Sequence, residues 1–562
     1  MSYREAYESW LSNPYFDEDT KEELRSIAND EKEIEDRFYM DLEFGTGGLR
    51  GILGVGTNRM NIYTVRRATK AFGTYLLSKS KAKERGICIS HDNRYMSREF
   101  AITSAKVLTK MGFRVYLFED LRPTPELSYS VRSKHAIAGI MITASHNPKE
   151  YNGYKIYDEY GCQLLPDEAN KVIDEIAKIK DIFSVEESDN MNNIEIMGQK
   201  MDKEYVDNIK TICLNPNLPK NFKVTYTPLH GTGQVFFPNV LKDLGYDINP
   251  VMCQMTKDPD FSGVKTSNPE NKEAYDESIT YAKEIGAKLC LATDPDADRL
   301  GVAVLHNGEY ILLTGNQSAT VIFNYIVNEH LKRHEDLSND YLFTTVVSGR
   351  LCTLIAKRHG IKVETTLTGF KYIGDKARQI EGKGHYLFGY EESYGCLIKD
   401  SVRDKDSLQA CIMLCEAAAY YYTQGKDLYD VLLDIYKEYG YTIEDISNIG
   451  LKGIEGKKKI NQIMDYFRNN EISLNNYEIL VKEDMKLGTI YNLKTKETQK
   501  NPLPESNVIK YHLNNDCWFV LRPSGTEPKL KVYYGITGSS EEDARAKLSS
   551  LKEQVLTIIN QI

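Results

Sequence analysis

The stretch Ile140-Met141-Ile142-Thr143-Ala144-Ser145-His146-Asn147-Pro148-Lys149-Glu150-Tyr151-Asn152-Gly153-Tyr154-Lys155 sets the fold class of this 562-residue chain. Its apolar opening is the pattern of a buried strand. The run stops abruptly in small and polar residues. Ser145 therefore follows the carboxyl end of a strand, where open α/β sheets keep their ligands. An imidazole, two ammonium groups and an amide accompany it in sequence, a setting that suits a serine holding a phosphoryl group. Local physics alone also allows a plainer role, a polar loop whose serine caps a helix.

On the N-terminal side, residues 4–36 alternate acidic clusters with apolar positions such as Ile27 and Ile34, and predict one or two surface helices. The segment Phe44-Gly45-Thr46-Gly47-Gly48-Leu49-Arg50-Gly51 follows. Its glycines permit close backbone approach to a ligand, and Arg50 can meet a phosphate bidentately. A flexible turn is the plain alternative. Helical period at 64–81 and 97–111, with apolar strands at 87–90, 114–118 and 138–143, implies a mostly parallel sheet covered on both faces. The same rhythm recurs from 222 to 293, ending at Asp294, and from 341 to 389, ending near Glu391.

The predicted fold class is α/β. Three similar mixed α/β domains, each sending one reactive loop from a strand's carboxyl end, surround a central cleft with a smaller C-terminal α+β domain. The expected limits are 1–200, 201–310, 311–440 and 441–562. In the last part, residues 441–475 are mixed and charged and predict a linker and the start of the fourth unit. Strands at 517–521 and 530–534 flank the loop 522–529, and 541–559 is an amphipathic helix.

Asp294, Asp296 and Asp298 alternate along one loop, and in extended chain that spacing points all three carboxylates one way. They would repel one another without a cation, and oxygen ligands suit Mg²⁺. A calcium-binding EF-hand is excluded, because Arg299 stands where its glycine belongs and Leu305 where its glutamate belongs. Arg522-Pro523-Ser524-Gly525-Thr526-Glu527-Pro528-Lys529 combines a guanidinium, two hydroxyls and a glycine, fixed donors for a phosphate dianion; it also fits an ordinary hairpin turn. Glu391 and Ser393 offer acceptors to sugar hydroxyls, or form a solvated strand end.

These segments, in this order, resemble the α-D-phosphohexomutases, the phosphoglucomutase/phosphomannomutase superfamily. The resemblance is carried by 143–155, by Asp294-Pro295-Asp296-Ala297-Asp298-Arg299, by Gly389-Tyr390-Glu391-Glu392-Ser393-Tyr394-Gly395 and by 522–529. It implies a catalytic phosphoserine at Ser145 and Mg²⁺ on Asp294, Asp296 and Asp298, completed by the Ser145 phosphate. It implies that Arg50 belongs to the active site and that Arg299 neutralises the phosphoryl group. Glu391 and Ser393 would read the sugar hydroxyls. Arg522, Ser524, Gly525, Thr526 and Lys529 would grip the phosphate that is not transferred. Thr368-Gly369-Phe370-Lys371 resembles another sugar-site segment. The general acid/base stays open among His146, Lys155 and Lys371, since apolar burial lowers a lysine's pKa. The phosphomannomutase branch of bacteria carries a histidine two residues after the loop serine, where this chain has Gly395, so the pattern is the glucose type. The implied reaction interconverts glucose 1-phosphate and glucose 6-phosphate, with glucose 1,6-bisphosphate as intermediate and activator. Length and the glycine-rich segment also resemble a subgroup containing phosphopentomutases and glucose-1,6-bisphosphate synthases. Phosphomannomutase, a phosphoserine-dependent phosphatase and a non-catalytic sensor are the other readings.

The composition narrows the classes. With 71 Lys and Arg against 81 Asp and Glu, the net charge is −10, which argues against nucleic-acid or anionic-membrane partners. An acidic protein that handles sugar phosphates must gather its cations locally, and the motif loops do so. Ten scattered cysteines form no CxxC pair and no disulfide framework; Cys411 and Cys415 are expected in the core. The N-terminal stretch lacks a secretory apolar segment, and no run is apolar enough to span a membrane. A cytoplasmic enzyme acting on small sugar phosphates, monomeric or weakly dimeric, is the expectation.

Overall fold

The computed structural model describes residues 2–45, 47–451, 453–524 and 529–562, with the backbone alone at 453 and 454. Three helices open the chain, Tyr3–Ser12, Glu18–Ser26 and Glu31–Phe38, N-capped by Ser2, Asp17 and Asp30. They exceed the one or two expected, because the connections are so short that their polar residues merge with the helical pattern. Trp10, Phe16, Leu24, Ile34 and Phe38 close a small core of their own against Tyr63.

The first sheet runs in spatial order Phe44–Gly45, Gly48–Ile52, Tyr151–Tyr157, Ala138–Ile142, Ile87–His91, Val115–Phe118, Ile194–Met197. Its last four strands are parallel. Ala138–Ile142 lies mid-sheet, and every residue in it is buried, as expected of a strand covered on both faces. The second sheet orders Glu309–Leu313, Leu300–His306, Leu289–Thr293, Lys223–Thr227, Asp247–Pro250, and the third Lys362–Thr366, Asp340–Thr345, His385–Tyr390, Cys396–Leu397. Both hold a parallel core with antiparallel pairing at one edge. Ser145, Asp294 and Glu391 follow the carboxyl ends of Ala138–Ile142, Leu289–Thr293 and His385–Tyr390.

The second and third units share one apolar core. Its centre is the helix Ser407–Tyr422, which buries residues all round, including Cys411 and Cys415. Such a helix has no solvent face to mark its period.

The fourth sheet is antiparallel throughout. The stretch expected as a linker and the start of the fourth unit is all fourth unit, the ten-residue strand Tyr441–Gly450 and the helix Gly453–Asn469. Among the described residues that strand pairs on one side, with Lys529–Gly538, and its half-buried Glu444 and Asp445, buried Ser447 and exposed Asn448 give no clean alternation to mark its period. Phe519, Leu521, Val532 and Tyr534 face the helices Gly453–Asn469 and Glu541–Gln561. The alternate residues Trp518, Val520 and Tyr533 meet Val346, Val347 and Leu367 of the third unit. The period-two alternation of a strand thus gives one sheet two partners. Among the described residues, no helix is long and apolar enough to cross a membrane.

Candidate active site

Beyond Ala138–Ile142 the chain turns because Thr143 Oγ1 accepts the Ser145 N–H at 2.8 Å. Ser145 adopts φ 52°, a left-handed conformation uncommon outside glycine and worth attention at a candidate site. Its residue is only 4% exposed. The hydroxyl donates to Asp294 Oδ2 at 2.8 Å and lies 3.2 Å from His146 Nδ1.

Asp294, Asp296 and Asp298 converge, with one carboxylate oxygen of each within 4.8 Å of the others. The cause differs from the extended-chain expectation. The loop is a turn, with Ala297 at φ 53°, and Asp294 Oδ1 closes it by accepting the N–H groups of Asp298 and Arg299, each at 3.0 Å. Asp296 Oδ2 accepts from Lys155 Nζ at 2.7 Å and from Thr124 Oγ1 at 2.9 Å. Asp298 lies 3.6 Å from Lys155 and 3.1 Å from Lys405.

Burial, then the neighbouring carboxylates, pushes the Asp294 carboxyl well up. Burial opposes ionisation of Asp296 too, but the Lys155 ammonium outweighs it and holds that carboxyl well below the usual range. The reciprocal holds for Lys155, which burial would lower and Asp296 and Asp298 raise. Lys155 therefore stays cationic. Burial, assisted by Arg299 and Arg50, pushes the His146 imidazole well below its usual value. Lys371 is brought down to about 8 by burial and by Arg522 beside it.

The remaining expected residues fall around this centre. Arg50 reaches Asn147 Oδ1 at 3.1 Å, on the loop that bears Ser145. The glycine-rich segment before it serves packing as well as any ligand. Gly48 has φ 112°, and a Cβ there would stand 1.9 Å from the Tyr154 carbonyl of the adjoining strand. Arg299 donates to Glu270 at 2.5 Å and lies 3.8 Å from Asp298. Glu391 accepts the Gly369 N–H at 2.7 Å, which ties the loop after His385–Tyr390 to the segment bearing Lys371. Ser393 is half-buried in the same loop. Arg522 stands opposite Lys531 in register, 3.5 Å from the Tyr533 hydroxyl. The Ser524 N–H bonds the Lys529 carbonyl at 2.7 Å, closing the hairpin. Gly525 and Thr526 lie outside the described residues. Lys149, one of the two ammonium groups that follow Ser145 in sequence, pairs with Asp260 at 2.9 Å.

Lys405, Glu270 and Thr124 were not singled out by sequence. Lys405 follows Arg403-Asp404 and precedes Asp406, the N-cap of Ser407–Tyr422, so the run passes for ordinary helix capping. Its stem takes the room beside Gly395, where a Cβ would stand 2.1 Å from Lys405 Cδ. The missing side chain at 395 is what admits this ammonium to Asp298. A charge of this kind, beside a bare glycine, has no signal in one sequence.

Comparison with known proteins agrees with the geometry. The chain matches the phosphoglucomutase/phosphomannomutase α/β/α domains I, II and III at residues 41–182, 203–308 and 314–439. It matches the C-terminal domain of the same family at 482–549. A phosphoglucomutase of Staphylococcus epidermidis is 36% identical over 504 residues, 88% of this chain and 91% of that one. One from Staphylococcus aureus is 35% identical over 537 residues, 94% of this chain and 96% of that one. In fold, the chain resembles a putative phosphomannomutase from Thermus thermophilus, with a TM-score of 0.69 at 22% identity, covering 92% of this chain and 99% of that one. With four domains matched in order and relatives above a third identical along most of its length, the chain belongs to the phosphoglucomutase/phosphomannomutase family.

Proposed function

We propose that this chain is a phosphoglucomutase that interconverts glucose 1-phosphate and glucose 6-phosphate through a phosphoryl group carried on Ser145. The observation that carries the reading is the Ser145 hydroxyl, fixed 2.8 Å from the converging aspartates with Lys155 beside them. In the first transfer, the bond from phosphorus to Ser145 Oγ breaks and one to a sugar hydroxyl forms. Lys371, whose ammonium is brought down to about 8, takes the hydroxyl proton in its neutral form. The bound bisphosphate reorients, the bond from its other phosphorus to the sugar oxygen breaks as one to Ser145 Oγ forms, and Lys371 returns the proton to that sugar oxygen. Lys155 and Arg299 stay cationic and neutralise charge on the moving group; this chemistry needs positioning and charge more than covalent help. Glu391 and Ser393 orient the sugar, while Arg522, Ser524 and Lys529 hold the distal phosphate.

The aspartate loop fits a hard divalent cation. Asp296 Oδ1 and Asp298 Oδ1 are buried without a hydrogen-bond partner among the described residues, a costly state that a metal would relieve. Asp294, Asp296 and Asp298, with the Ser145 phosphate, would hold Mg²⁺, which supplies charge neutralisation when bound. Sugar phosphates are the proposed partners, a monomer or weak homodimer the form, and the cytoplasm the place of action.

Coupled turnover of glucose, mannose and ribose 1-phosphates, with free phosphate measured alongside, tests the reading. Glucose 1-phosphate should turn over fastest with no phosphate release. Faster turnover of the mannose or ribose substrate would reassign the sugar, and stoichiometric phosphate release would make the protein a phosphatase.

A further inference from the structure

Arg94, at the end of the strand-to-helix turn after Ile87–His91, contributes no atom to the aspartate cluster, yet its side chain is fully buried. Its guanidinium lies inside the phosphoserine loop. Nη2 donates to the carbonyls of Ser145 at 2.6 Å and Asn147 at 2.5 Å. Nη1 donates to those of Pro148 at 2.8 Å and Tyr151 at 3.0 Å. Nε lies 3.2 Å from Asp92 Oδ2, whose side chain is also fully buried.

Asp92 is itself fixed. Its N–H bonds the Ile142 carbonyl, the last residue of the strand that delivers Ser145. Its Oδ1 accepts from Ser97 Oγ and from the Arg94 N–H. Phe261 of the second unit covers the guanidinium, 5.1 Å from ring centre to Cζ. Ser145 is therefore gripped at both sides of its backbone, by Thr143 at the N–H and by Arg94 at the carbonyl.

We infer that Arg94 is the positioning residue of the phosphoserine loop: by gathering four loop carbonyls onto one guanidinium, it holds Ser145 in the left-handed conformation that aims Oγ at Asp294. A planar fork with spaced donors is required for this. A lysine ammonium, one point with three donors, cannot span the same four carbonyls. The charge also has a reason to be buried. Carbonyl dipoles and Asp92 compensate it, and it stands close to the carrier without being spent on a carboxylate of the cluster.

The inference rests on Ser145 as the phosphoryl carrier. The test charges wild-type and Arg94→Lys protein with glucose 1,6-bisphosphate, follows transfer from phosphoserine to glucose 1-phosphate in one turnover, and measures KM and kcat. Folding is checked by circular dichroism and Tm. The expected result is folded Arg94→Lys with kcat and the single-turnover rate down by about a hundredfold, the scale of an ångström-sized misplacement, and KM unchanged. The sugar and distal-phosphate contacts lie on other loops, so a general loss of stability would not give that split. Wild-type rates in the variant, or a change in KM alone, would overturn the inference. If Arg94→Lys does not fold, Asp92→Asn decides. It keeps the shape and removes the counter-charge. A reduced transfer rate at constant KM supports the role, and an unchanged rate overturns it. Wild-type protein that takes no phosphate on Ser145 would sink the functional reading itself, a result separate from any of these.

Discussion

Burial acts on three basic residues of the cleft in three ways, and this sorts their roles. Lys155 keeps its proton because two carboxylates repay its desolvation. His146 loses its charge because burial is joined by two guanidinium groups. Lys371 falls between, at about 8. The expectation that burial lowers a lysine thus applies to Lys371 and fails for Lys155, whose neighbours decide the outcome. If Lys371 accepts the proton, it must be neutral to act. The rate of transfer from phosphoserine should then rise as pH increases through about 8. Lys371→Met should remove that limb along with most of the rate. A limb that survives in the variant assigns the proton to another group. Ser145 and the three aspartates were legible because each set is contiguous in the chain. Lys405 and Glu270 were not, because their partners lie in other segments and their local sequence is that of a cap and a loop.

At the scale of elements, strand ends were read well and faces less so. Ala138–Ile142, Leu289–Thr293 and His385–Tyr390 are apolar runs that stop at polar residues, so their carboxyl ends could be found. Tyr441–Gly450 carries Glu444, Asp445, Ser447 and Asn448, a polar mixture that does not mark it as a strand. Two predictions belong here. Asp296→Asn removes one charge from a loop built to face a cation, so kcat should fall strongly and activity of the wild type should vanish on chelation and return with Mg²⁺. Chelated wild type at full rate would reduce the loop to a turn. Glu444 sits in the seam between the third and fourth units, accepting from Asn316 Nδ2 at 3.3 Å. Burial raises its carboxyl to about 7 from 4.5. Below the lower value both folded and unfolded states hold the proton. Between the two values the unfolded state binds fewer protons, so stability falls as pH rises. Glu444→Gln should therefore raise Tm at pH values above about 7 and leave it unchanged below about 4.5. Equal Tm at both ends would show that this carboxyl is solvated.

For the whole molecule, the proposed reaction asks four loops from four units to act on one substrate held in two orientations. The fourth unit offers its Arg522 loop from a sheet that shares an apolar seam with the third. Losing one charge-assisted contact costs roughly 1.5–3 kcal/mol, and each 1.4 kcal/mol is about tenfold in affinity. Arg522→Ala should raise KM for glucose 1-phosphate by about one to two orders of magnitude. It should also release the bisphosphate before the second transfer, making the variant depend on added glucose 1,6-bisphosphate. Unchanged KM and unchanged activator dependence would leave this loop a plain hairpin. The recurrence of three α/β units was visible in the sequence. The single core joining the second and third was not, because Ser407–Tyr422 is apolar on all sides and names no partner.

The central claim is that Ser145 carries the phosphoryl group. Intact-mass analysis with peptide mapping, after charging with glucose 1,6-bisphosphate and again after adding glucose 1-phosphate, tests it most directly. One phosphate should map to Ser145, be lost and regained with turnover, and be absent from Ser145→Ala, which should fold normally and turn over nothing. A phosphate on another residue, or full turnover by Ser145→Ala, would contradict the account.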